Sequence, residues 1–108
     1  MKSIEAWQGD TIRLTTTAPD DTAVTATLLV GLAGATAIFS KEATYNDAGV
    51  ADLTITDEEN VQSTIPFGEY TYMIRVSYSD GAELSFPKPG SCGGGLPKFI
   101  IKERIEDA

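Results

Sequence analysis

Residues 68–86 read GEYTYMIRVSYSDGAELSF, and in them Tyr70, Tyr72, Ile74 and Val76 occupy every second position. Side chains of an extended chain point alternately to two faces, so this spacing makes one apolar face of a β-strand and cannot form a helical stripe of period 3.6. Asp80 and Gly81 supply the strongest short hairpin signal in the chain, after which Ala82, Leu84 and Phe86 make the returning partner. Aromatic and aliphatic side chains paired across strands contribute about 0.2–1 kcal/mol each. That is reason enough for tyrosine here, and it makes the pattern a core before it makes a site.

The same period-two pattern recurs in short segments bounded by Gly, Pro, Asn or Asp, which predicts an antiparallel, all-β protein. A first strand begins at Ile4 and carries Trp7. A second covers 11–17, with Ile12 and Leu14 on one face. A third, 23–30, aligns Val24, Ala26, Leu28 and Val30. Segments 37–42, 50–55 and 98–103 complete the set, separated by turns around Pro19 and at 46–49. Thr56 followed three residues later by Glu59 is a capping box, so one short helical turn is expected over 56–63, pinned to the core by Val61 and Ile65 and ended by Pro66. The expected core is Ile12, Leu14, Leu28, Val30, Leu53, Ile55, Tyr72, Ile74, Val76, Leu84, Phe99 and Ile101. Residues 87–97, PKPGSCGGGLP, have no apolar period and read as an exposed, flexible Gly/Pro-rich loop.

A chain of 108 residues is long enough for one core, and no composition shift divides it, so 1–108 is expected to fold as a single domain. Eight Lys and Arg stand against 16 Asp and Glu, a net charge of −8, which repels nucleic-acid backbones and anionic membrane surfaces alike. No apolar run approaches the ~20 residues of a spanning helix. The opening residues, MKSIEAWQGD, lack the apolar stretch of a secretory signal, and the single cysteine, Cys92, forbids an internal disulfide. Both features lead to an expectation of synthesis in a reducing cytoplasm.

With no histidine, Ser-His-Asp and Cys-His catalysis are excluded along with the commonest zinc ligand. The acidic clusters at 20–21 and 57–59 sit on turns, where carboxylates serve as caps, and they lack the spacing of a calcium loop. Gly93, Gly94 and Gly95 are not followed by the Lys-Ser/Thr of a phosphate loop. The expectation is therefore a non-enzyme with no cofactor and no metal. Its candidate interaction residues are the aromatic Trp7 and Tyr45 and the loop residues Cys92, Gly93, Gly94 and Gly95.

QGD at 8–10 leading into a Thr-rich strand, GVADLTIT at 49–56, the short acidic turn, IPFGEYTYMI at 65–74 and SDG at 79–81 follow one another in an order that resembles a known group. The chain is similar to the immunoglobulin-like N-terminal domain of phage baseplate upper proteins and related phage virion structural proteins. The resemblance implies an immunoglobulin-like antiparallel β-sandwich of about seven strands. It further implies a non-catalytic assembly role in the virion (baseplate, neck or capsid-associated), contacts with other virion proteins, a homo-oligomer, and synthesis in the host cytoplasm. The alternative from the aromatic residues is a carbohydrate- or protein-binding immunoglobulin-like module.

Overall fold

The computed structural model describes residues 2–87 and 96–105. Among them are eight strands and no helix: β1 (Ile4–Trp7), β2 (Thr15–Thr17), β3 (Ala23–Gly31), β4 (Phe39–Thr44), β5 (Val50–Asp52), β6 (Gly68–Tyr78), β7 (Glu83–Phe86) and β8 (Lys98–Lys102). Six strands form one sheet in the order β1-β8-β6-β3-β4, with β7 also paired to β6, while β2 and β5 form a second, two-stranded layer. The fold is all-β and sandwich-like, as the alternation requires. All pairs are antiparallel except β1 with β8.

The eleven-residue β6 is the spine of the large sheet. One edge pairs with β3, and the other is shared, Gly68 to Thr71 bonding β8 and Ile74 to Ser77 bonding β7. β7 and β8 thus continue one another along a single edge. Ile74 pairs with Phe86 of β7 and Thr71 with Lys98 of β8. At the fork, the Tyr72 N–H donates to the Pro97 carbonyl at 3.1 Å. Pro97 is buried, which corrects the expectation of an exposed loop at that end. The expectations for 88–95 lie outside the described residues.

Between the layers, Ala26, Leu28 and Val30 of β3, Tyr72, Ile74 and Val76 of β6, and Phe99 and Ile101 of β8 meet Ile12, Ala51, Leu53, Ile55 and Ile65 from the opposite side. Tyr72 and Phe99 pack edge to face, their centroids 6.2 Å apart. Leu14 is only partly buried. Two apolar expectations are corrected. Val24 is 42% exposed because the β3–β6 register shifts between Ala23 and Thr25, and the one-residue bulge turns Ala23 inward in its place. Leu84 lies opposite buried Val76, yet is 47% exposed, because the two-stranded layer does not reach over β7.

Loop chemistry matches the sequence closely. Gly81 takes a φ of 88° and donates its N–H to the Tyr78 carbonyl, so the hairpin closes with a left-handed residue that only glycine adopts cheaply. At the start of β6 the Tyr70 hydroxyl donates back to the Pro66 carbonyl at 2.9 Å. A Cβ on Gly68 would stand 3.3 Å from that hydroxyl, which accounts for glycine between them. The capping box forms reciprocally: the Thr56 N–H donates to Glu59 Oε1 and the Glu59 N–H to Thr56 Oγ1, and one helical turn closes with Asn60 N–H on the Thr56 carbonyl. Asn60 is fully buried, and its Nδ2 donates to the carbonyls of Trp7 (3.0 Å) and Asp10 (2.9 Å).

That side chain holds the end of β1 against the 56–65 turns, and losing it removes one donor from the Asp10 carbonyl and leaves the Trp7 carbonyl with the Asp10 N–H alone. Asn60→Ala should lower the unfolding free energy by about 2 kcal/mol, read from urea titration at constant m-value. Tyr70→Phe, which deletes one hydroxyl bond, should lower it by about 1 kcal/mol.

Candidate interaction surface

Strand register places the ends of the large sheet. The end of β1, the end of β8, the start of β6 and the β3–β4 connection gather at one end of the molecule, because Trp7 pairs with Lys102, Gly68 with Ile101 and Gly31 with Thr71. Of the seven large apolar side chains exposed among the described residues, five lie there: Trp7, Leu32, Ile38, Phe67 and Ile105. The opposite end is formed by the β2–β3, β4–β5 and β6–β7 turns, and carries Asp20, Asp21, Asp47 and Asp80. Exposed apolar side chains therefore gather at one end, whereas exposed acids stand at both, Asp10 and Glu103 lying beside Trp7.

Trp7 is the best-defined candidate. Its carbonyl accepts from Asn60 Nδ2 and from the Asp10 N–H, and the following Gln8 N–H donates to the Lys102 carbonyl at 2.8 Å. The backbone is thus fixed while the indole remains 52% exposed. It borders a surface depression of about 300 Å³ with Asp10, Glu103, Arg104 and Ile105, in which Arg104 pairs with Asp10 at 3.3 Å. A rigidly presented tryptophan beside an arginine is the composition that dominates protein–protein binding energy.

The other sequence candidates go elsewhere. Tyr45 continues the inner face of β4 and packs against the core, so it is not a surface contact. Burial pushes its phenol above the ordinary range and Tyr78 adds to the effect, while Thr16 opposes it without reaching hydrogen-bonding geometry. Tyr70, Tyr72 and Tyr78 also belong to the core or its margin. Cys92, Gly93, Gly94 and Gly95 lie outside the described residues. Leu32, Ile38, Phe67 and Ile105 were not singled out by the sequence, since isolated apolar residues at strand ends carry no period to reveal them.

The carboxylates perform structural work. Glu59 is held below its ordinary value, first by Lys41, whose Nζ donates at 2.7 Å, and then by the Thr56 N–H. Asp20 and Asp52 are lowered by the Thr22 and Thr54 side chains, with the backbone N–H of the same residues adding to each. No cluster of His, Cys, Asp and Glu able to hold a metal occurs among the described residues, and they include no helix long and apolar enough to cross a membrane. No protein-family model matches the chain, and no curated protein matches it in sequence.

Groups with lowered folded-state pKa stabilise the fold fully above their ordinary values and lose that contribution as pH falls. Urea midpoints should therefore hold between about pH 7 and 5.5, where no histidine titrates, and decline below the ordinary glutamate value of 4.5. Glu59→Gln should make that decline shallower.

Proposed function

We propose that the chain is a non-catalytic assembly module of a tailed-phage virion, an immunoglobulin-like domain that works by docking to other virion proteins and to copies of itself. The observation that carries the reading is the exposed Trp7, which projects from a tightly bonded backbone beside Ile105, with Leu32, Ile38 and Phe67 exposed at the same end of the sheet. Monomeric domains rarely leave such residues together in water. The Tyr70 hydroxyl bonded back to Pro66 supports the immunoglobulin-like part, because the same corner closes the start of a central strand in that class.

Weak docking at one such end becomes firm when many copies sit in one particle. The net charge of −8 keeps unassembled chains apart and steers the approach of basic surfaces. A glycan-binding reading rests on the same residue, since an exposed indole beside Asp10, Glu103 and Arg104 offers a stacking face with polar neighbours.

Mass spectrometry of purified particles should find the chain at a fixed ratio to the other structural proteins, and Trp7→Ala should reduce its incorporation at least tenfold without lowering its melting temperature. Absence of the chain from the particles overturns the virion reading. Glycan-array binding that disappears in Trp7→Ala selects the alternative.

A further inference from the structure

We propose that the open side of the sandwich, between β2 and β7, seats an extended segment of a partner polypeptide that is apolar at every second residue and carries Lys or Arg at one end. The inference deepens the assembly reading and rests on it, but concerns a different face from the Trp7 end.

A groove of about 520 Å³ runs there, with the nearly buried Tyr72, Ile74 and Val76 at its floor beside half-buried Phe86, β2 as the wall on one side and Lys2 and Ile4 on the other. Leu84 extends the apolar floor on the core-facing side of β7. From Tyr72 to Val76 the floor is about 13 Å long at about 3.4 Å per residue, the span of a five-residue extended segment. The wall offers backbone bonds as well as apolar contact. Ile12, Leu14 and Ala18 bond toward Ile55, Leu53 and Gly49, so the intervening Thr15 and Thr17 turn their N–H and C=O groups away from β5, toward the groove.

Two of the other free edges are guarded. β4 directs Lys41 inward beside Phe39 and Ala43, and the β7 edge runs into Pro87, which has no N–H. β2 itself is three threonines, and the nearest charge and proline, Arg13 and Pro19, lie two residues beyond its ends.

Charge fixes the polarity of the occupant. The groove ends at Pro19, beside Asp20 and Asp21, and the Ser79 N–H bonded to the Thr22 carbonyl brings the Asp80 turn alongside. Among the described residues none of these three carboxylates has a cation partner, whereas five of the seven described Lys and Arg are paired elsewhere. Lys2 borders the other end. A segment with its basic end at the β2–β3 turn completes the second layer, covers Leu84 and neutralises that rim.

Panning a random linear 12-residue peptide library on the immobilised chain tests this. Enriched peptides should alternate Val, Ile, Leu or Phe with polar residues and place Lys or Arg at one end. Synthetic copies should bind at least tenfold more weakly to Leu84→Glu and to Thr17→Pro, the second of which removes one outward N–H and leaves the β5 ladder intact. Trp7→Ala should bind them normally, which separates failure here from failure of the virion reading. Enrichment without alternation, binding that survives both folded variants, or no enrichment overturns the proposal. A dimer of the chain that requires Leu84 overturns it in favour of a second copy as the occupant.

Discussion

Two short strands cannot roof a six-stranded sheet, and most of the molecule follows from that mismatch. The large sheet presents an apolar face along β1, β8, β6 and β3, and hydrocarbon left in water costs roughly 25 cal/mol per Å². β2 and β5 cover its middle. The turns at 56–65 extend the cover at one end, with Ile65 buried and Asn60 tying them to the end of β1. Nothing described extends it over β7. The consequence is a sandwich closed around Leu28, Leu53, Ile55 and Phe99 and open along one flank.

The closed part is held by directional bonds as much as by apolar area. Asn60, the Tyr70 corner and the Lys41–Glu59 pair each fix one irregular segment to the sheets. On the large sheet, Glu5 with Lys102, Glu69 with Lys98 and Arg75 with Glu83 pair diagonally across neighbouring strands. These pairs are exposed, so each adds little stability. They do oppose slippage, because a one-residue shift would send every apolar side chain to the wrong face.

Exposed apolar side chains gather at one end of the molecule, and the chain as a whole carries a net charge of −8. A tryptophan with a fixed backbone loses little entropy on docking. Backbone groups along an open strand edge add affinity without demanding a particular sequence, while alternate apolar positions and a terminal charge would supply selectivity.

The sequence by itself determined the strands, the hairpin at Asp80 and Gly81, the capping box at Thr56 and Glu59, and ten of the twelve expected core residues, because each rests on local spacing. Leu84 and Val24 were misread for different reasons: alternation tells which face a side chain takes but not whether another layer lies above that face, nor where a bulge reverses it. Trp7 was legible as an aromatic outside the strongest pattern, whereas its exposure, the burial of Tyr45, the gathering of apolar strand ends and the open edge of β2 come from residues far apart in the chain. Only the tertiary structure decides such things, since coverage depends on how many strands each layer receives and register depends on partners that local periodicity does not name.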